Sequence, residues 1–412
     1  MRLSGPLKAL KEPLFAKLYF AQAISLLGDS FTWMGIALLS FEFGNNQSAK
    51  ILATALTLRV TAFIIFGSYA GVLADLVSRK KIMIVTNLFR MLIVFSLAFV
   101  KSVLQLYVLI FILNVFNAFF TPAYKACIPQ LIRRKEKYGD AISLSNATWQ
   151  LLGILGPGLA GALAVVLGSR QIFFFDAVSF IVSSILVFYI PIANLNNEGP
   201  VITSSFINIW NDVLNGMKLL FRNPPVRFSL LIELIAAIAG AQIIVNSVGH
   251  IKADLLLSDK EYGWIMAAFG VGATIGAFTA NSIDKSKSKA ALMFVGALIL
   301  STAISLANIV SYEILIILWV IAGLGQSYAD MPSQILIAEN INPGQQGKVY
   351  GSHFALTHLW WALGYIFAGY TGTFFKTYDF FMGVVFSLFF LAVISLYRVV
   401  LLRIRRNVPR ES

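Results

Sequence analysis

Polar and charged positions along this chain come in short clusters between long apolar runs. Runs long enough to cross a bilayer, about 20 residues each, fall at 15–43, 50–74, 82–100, 104–127, 142–168 and 171–192. After a polar interval they resume at 226–250, 261–283, 289–309, 313–338, 349–374 and 379–401. The pattern predicts an all-α membrane protein of twelve spans: a six-helix bundle over 1–192, a linker over 193–225 and a second six-helix bundle over 226–412. The linker opens on Asn194, Asn196, Asn197, Gly199 and Pro200. It continues with Phe206, Ile209, Trp210, Val213, Leu214, Met217, Leu220 and Phe221 at helical spacing. That spacing predicts an amphipathic helix along the membrane face, tethering the halves and stopped by Pro224-Pro225.

The halves read as divergent copies. A shift of 208 positions lays Gly156, Ala160 and Gly161 of span five on Gly364, Ala368 and Gly369 of span eleven, and a shift of 210 lays Pro122 on Pro332. Internal repeats in a polytopic chain are a mark of secondary transporters.

Composition sharpens the class. Hydrophobic residues make up 58% and charged residues 12%, too little polar surface to cover a soluble globule of this length. The net charge of +13 is explained by position. With a cytoplasmic N-terminus, about 23 of the 32 Lys and Arg fall in cytoplasmic segments and about 6 in the opposite loops, the positive-inside asymmetry. No basic surplus is left for nucleic acid. The expectation is a multi-pass protein of the cell (inner or plasma) membrane with both termini cytoplasmic. The first apolar run is too long, and lacks a small-residue cleavage site, to be a signal peptide. The single cysteine, Cys127, excludes an internal disulfide and a cysteine metal cluster. No nucleotide-binding Gly-x4-Gly-Lys-Ser/Thr loop and no nucleophile–base pair stands out, so neither an enzyme nor a cofactor is expected. Energy would come from a gradient, with protons as the coupling ion and the lipid bilayer as surroundings. A monomer is expected.

Between spans two and three lies Gly71-Val-Leu-Ala-Asp75-Leu-Val-Ser-Arg79-Lys80-Lys81. Gly71, Asp75, Arg79 and Lys80 resemble the loop signature of the major facilitator superfamily, with Leu76 in place of its first basic residue and Ser78 in place of its second glycine. The resemblance implies a cytoplasmic gate, in which Asp75 meets the start of span eleven. Span five carries Gly153, Gly156, Pro157 and Gly161, similar to the small-residue motif of the family's antiporters. Where drug–proton antiporters place an Arg in span four, this chain has Asn114, so the proton relay of that Arg is not implied. The segments Gln22-x3-Leu26-x-Gly28-Asp29, Pro122-Ala123, Pro129-x-Leu131-Ile132 and Phe175-Asp176-Ala177-x-Ser179-Phe180 resemble the enterobactin exporter and macrolide efflux branch. Pro343-x2-Gln346-Gly347-Lys348-Val349-x-Gly351 matches more loosely.

Charges inside spans need a partner or a watery cavity, since a lone one costs about 2.5–3.5 kcal/mol at the bilayer centre. Asp29 and Arg59 are expected to meet at similar depth across a short loop, either as a coupling site or as a structural pair. Glu233 and Asp330 are further candidates for proton or substrate coupling. Arg90 is assigned to the gate, pairing with loop acids such as Asp75, and Asp176 to a cap at the start of span six. His353 and His358, five apart, do not share a helix face as a metal pair would. Asn114, Asn117, Trp149, His358 and Trp361 are the candidate cavity lining. The leading reading is a secondary active exporter of a small amphipathic substrate, siderophore- or macrolide-like. A lysophospholipid flippase of the same fold is the alternative, and a non-transporting sensor a distant third.

Overall fold

A computed structural model describes residues 5–132, 138–191, 206–283, 289–341 and 346–407. The first part of the linker and the segment that begins at Pro343 lie outside them. Among the described residues regular structure is helical and no strand occurs, as a bilayer requires of a chain whose backbone must satisfy itself. The first bundle comprises α1 (Pro13–Gly44), α2 (Ser48–Leu76), α3 (Arg79–Leu97), α4 (Val103–Leu131), α5 (Tyr138–Leu167) and α6 (Ile172–Phe188). Helix α7 (Phe206–Arg222) precedes the second bundle. That bundle comprises α8 (Pro224–Gly249), α9 (Asp259–Ile283), α10 (Lys289–Ser305), α11 (Tyr312–Asn340), α12 (Gln346–Phe374) and α13 (Asp379–Asn407). The twelve expected spans are all present as helices. Several are interrupted by polar or charged residues; α3, for example, has a basic start and Arg90, and α12 carries His353 and His358.

Helix ends are closed by identifiable groups. Pro13 and Pro224 stand in the first turns of α1 and α8, where a missing N–H costs nothing. Asn223 accepts from the Val226 amide and donates to the Asn340 carbonyl at 3.2 Å, so one side chain closes the start of α8 and the end of α11. Lys80 donates to the Phe188 and Ile190 carbonyls at 2.6 Å each, a cation at the negative end of α6. Arg170 does the same beyond α3, reaching the Ala98 and Val100 carbonyls at 3.0 Å and Glu42 at 2.6 Å.

In the first bundle α1 packs on α5 and α6, α3 on α4 and α6, and α2 on α4; in the second, α8 packs on α10 to α13, and α11 on α9 and α10. The bundles meet through α5 with α9 and α2 with α12. These are one contact made twice, because advancing each partner by six spans turns the second pair into the first. The repeat read from the sequence has a matching physical basis. Gly156 lies against Ser30 of α1, and its counterpart Gly364 against the Ala237 backbone of α8. Gly161 lies against Gly263 of α9, and its counterpart Gly369 against Ala53 of α2. At Gly161 an added Cβ would stand 2.6 Å from the Gly263 carbonyl oxygen, so only a bare backbone permits the approach.

The Gly161 and Gly369 contacts lie toward the end of the molecule that carries the connections at 44–48, 249–259 and 374–379, the end opposite the termini. Lys252 adds to the closure there, its Nζ 4.7 Å from the Phe41 ring centre. Helix α7 joins the second bundle: its Leu220 is buried with Val226, Leu230, Ile337 and Val349.

Gly161→Leu is expected to force α5 and α9 apart at a cost of about 1–3 kcal/mol, lowering the melting midpoint of the purified protein in detergent. Gly67 of α2 has open space where a Cβ would go. Gly67→Leu is therefore expected to leave the midpoint unchanged or raise it.

Candidate functional site

Three helices of the first bundle bring polar groups to one place. On α1, Ser25, Asp29 and Thr32 follow at four and three residues, so they share a face. Asn87 and Arg90 on α3, and Asp176, Ser179 and Ser183 on α6, repeat that spacing. At the centre is Arg90, 2% exposed. Its Nη2 donates to both Asp29 oxygens, at 3.1 and 3.2 Å, and to Ser25 Oγ at 3.3 Å, while Nη1 donates to Asn87 Oδ1 at 3.0 Å. The Asn87 amide then donates to Ser183 Oγ at 2.9 Å. The guanidinium lies over Phe180 at 4.0 Å and Phe120 at 5.2 Å, which holds its plane by cation–π attraction.

Asp176 completes the cluster. It is fully buried, accepts from the Thr32 hydroxyl and from Ser179 Oγ at 2.9 Å, and lies within electrostatic range of both Asp29 and Arg90. Gly28 makes this possible, since any side chain there would collide with Asp176 and Ser179. One cation thus faces two carboxylates. Asp29, its side chain 22% exposed, is the member with access to the space beyond.

Three expectations are corrected here. Asp29 makes its salt bridge with Arg90 and not with Arg59; Arg59 lies within electrostatic range of Asp29, but its guanidinium sits 4.6 Å over the Trp33 ring, one turn along α1. Arg90 belongs to this cluster and not to the gate, since the inward face of α3 turns it toward α1 and α6. Asp176 is no cap: α6 begins at Ile172 with Gln171 before it, and Asp176 is one turn inside.

The second bundle holds a smaller constellation. His353 Nε2 reaches the Glu233 oxygens at 2.9 and 3.1 Å, and both residues are buried. The Gln334 amide donates to His353 Nδ1 at 3.4 Å, which leaves Nε2–H to donate to the carboxylate. Asp330 accepts from Gln326 on its own helix at 2.6 Å and lies within electrostatic range of Glu233 and His353. Among the described residues no cluster of His, Cys, Asp and Glu suits a metal ion.

The remaining candidates disperse. Asn114 is fully buried, donates to the Ile110 carbonyl at 2.8 Å and accepts from Asn117; it is tied to its own helix and does not line an open cavity. Trp361 stacks on Tyr365, with ring centres 5.6 Å apart, and closes on α8 at Gly240. His358 packs on Phe354, with ring centres 3.9 Å apart, and faces Phe63 across the bundles at 6.3 Å. Trp149 is half exposed on α5. In the hinge, Arg79 donates to the Ala126 carbonyl at 3.0 Å and Lys80 closes α6, so both hold helix ends of their own bundle. The surroundings of Gly71, Asp75, Gly153 and Pro157 lie outside what the structure describes. Asn87 and Ser183 are the members that reading for charge alone overlooks, while Asp176 and His353 were assigned other roles; polar residues at three- and four-residue spacing within apolar spans were the available signal.

This architecture has known relatives. The Major Facilitator Superfamily matches residues 18–249 and 234–412, and the chain belongs to that superfamily. It is 26% identical over 386 residues to the uncharacterized MFS-type transporter YfiS of Bacillus subtilis (strain 168), covering 86% of this chain and 87% of that one. Macrolide efflux protein A of Streptococcus pyogenes is 27% identical over 53% of each chain. The multidrug efflux pump Tap of Mycolicibacterium fortuitum is 24% identical over 81% of this chain and 84% of its own. Among solved structures, the nucleoside transporter NupG superposes with a TM-score of 0.69 at 14% identity, covering 93% of this chain and 98% of that one. A bacterial homolog of the human lysosomal transporter Spinster, inward-facing and unoccupied, gives 0.66 at 14% identity, covering 91% and 94%. These structural likenesses speak to the fold.

Removing the buried cation that Asp29 holds beside the buried Asp176 should cost about 3–5 kcal/mol. Arg90→Gln is therefore expected to lower the melting midpoint sharply. Arg90→Gln combined with Asp29→Asn should recover part of the loss, giving a coupling energy of about 1 kcal/mol or more in a double-mutant cycle.

Proposed function

We propose that this transporter exports a small amphipathic molecule by alternating access and is driven by protons exchanged at Asp29. The observation that carries the coupling is the two-carboxylate, one-arginine cluster. Asp29, Asp176 and Arg90 sum to zero with one proton bound and to minus one without it, and a change of one charge in a low-dielectric interior biases one arrangement of helices over another. Asp29 is the only one of the three with exposed surface worth the name, so it is where the proton enters and leaves.

Alternating access is supported by the closure at the end opposite the termini. With the termini in the cytoplasm, as the distribution of Lys and Arg favours, this is a state sealed to the outside. Opening it means parting Gly161 from Gly263 and Gly369 from Ala53. Export is supported by the efflux relatives, named for macrolide and multidrug efflux.

Everted membrane vesicles from cells expressing the protein provide the test, with a panel of a macrolide, a catecholate siderophore and a lysophospholipid. At least one should accumulate when a proton gradient is imposed and stop when a protonophore collapses it. Asp29→Asn should abolish gradient-driven accumulation while leaving the protein folded. Persistence of gradient-dependent uptake in that variant would show that Asp29 is not the coupling residue.

A further inference from the structure

Two cations facing the space between the bundles make no direct contact with a carboxylate, although Arg59 lies within electrostatic range of Asp29. Arg59 of α2 lies over Trp33, and Lys125 of α4 has its Nζ 5.8 Å from the Phe354 ring centre of α12, across the bundles. Among the described residues neither makes an ion pair. Both lie within electrostatic range of His358, which stands between Phe63 and Phe354. Arg59 and Lys125 therefore approach His358 from different helices, with the rings of Phe63 and Phe354 beside it.

The acids that could neutralise them are engaged elsewhere. Asp29 gives both oxygens to Arg90, Glu233 is held by His353, and Asp330 accepts from Gln326. His358 spends its Nδ1–H on the Phe354 carbonyl at 2.8 Å, so it brings no second fixed charge. Lys125, six residues from the end of α4, can extend its stem toward the headgroups. Arg59 has no such escape. It is eleven residues from the start of α2, roughly 16 Å along the helix axis, and must be satisfied at that depth. A guanidinium accepts a carboxylate or phosphate in a two-point fork, and an aromatic surround suits an apolar body beside it.

We infer that the cavity takes an amphipathic anion. Its carboxylate or phosphate sits between Arg59 and Lys125, and its apolar body lies against Trp33, Phe63 and Phe354. This deepens the transport reading and takes from it only that this cavity holds the substrate. It also separates the siderophore-like and macrolide-like substrates left open by the sequence, since an amine-bearing amphiphile would meet the two cations as a like charge.

The test is equilibrium binding to the full-length protein in neutral detergent, without a gradient, using a matched xanthene pair: anionic carboxyfluorescein and cationic rhodamine 123. Carboxyfluorescein is expected to bind about tenfold more tightly than rhodamine 123. Arg59→Gln and Lys125→Gln should each weaken it about tenfold while leaving rhodamine 123 unchanged or tighter. Arg59→Lys should restore part of the loss, and an unchanged melting midpoint shows that each variant is folded. Equal or tighter binding of rhodamine 123, or full affinity in both glutamine variants, overturns the proposal. Competition assigns the source of the anion. Lysophosphatidylglycerol displacing the dye at lower concentration than laurate, with lysophosphatidylcholine ineffective, identifies a lipid headgroup; the reverse order identifies a free carboxylate; displacement by none of them overturns the proposal. Failure here with Asp29-dependent export intact removes only the substrate class, whereas intact anion binding without Asp29-dependent export removes only the coupling reading.

Discussion

Arginine cannot shed its charge, and the first bundle is organised around that fact. Arg90 sits where water does not reach, and three helices converge to surround it: α1 with Ser25 and Asp29, α3 itself with Asn87, and α6 with the ring of Phe180. The absence of a side chain at Gly28 lets α1 and α6 approach closely enough for Asp176 to join. Each partner answers a separate demand of the guanidinium: charge, hydrogen bonds and a polarisable face. A bundle held together in a solvent as apolar as its own side chains gains little from hydrophobic burial between helices. A satisfied polar cluster is therefore a principal source of specificity for which helix faces meet.

The fold was legible in the sequence because the bilayer imposes one length and one kind of backbone pairing on every span. The runs read as 50–74 and 313–338 emerge as Ser48–Leu76 and Tyr312–Asn340. Even the weak 208-residue repeat had a physical meaning, because glycines at equivalent positions allow equivalent close approaches. The site was only partly legible. Asp29 stood out as a charge in an apolar run, but chain proximity suggested the wrong partner. A short loop brings α1 and α2 side by side without deciding which groups make contact, and the Arg59 guanidinium lies over Trp33 while Asp29 bonds to Arg90. Asp176 was masked by its nearness to a helix start, where a carboxylate usually has a simpler role. His353 was undervalued because its partner Glu233 lies 120 residues away on another helix.

The basic hinge shows how one feature can serve two ends. Lysines and arginines on one face of a membrane protein set its topology. Here Lys80 also binds the last carbonyls of α6, Arg79 a carbonyl of α4, and Lys17 the Tyr189 carbonyl at 3.4 Å. The charges that orient the chain therefore also fasten helix ends within one bundle. That makes α1, α3, α4 and α6 more nearly a rigid body, which is what a rocking motion needs.

The bare contact between Gly161 and Gly263 has a mechanical consequence. It lies near one end of α5, 23 residues from Tyr138 at the other, a span of about 35 Å. Two backbones touching without side chains form a narrow fulcrum, with no interlocking knobs to resist rotation. A tilt of about ten degrees there would swing the Tyr138 end through about 6 Å, close to one turn of helix. A pair of residues that contributes no chemistry at all would thereby turn a small rotation at one end of α5 into a displacement of molecular size at the other.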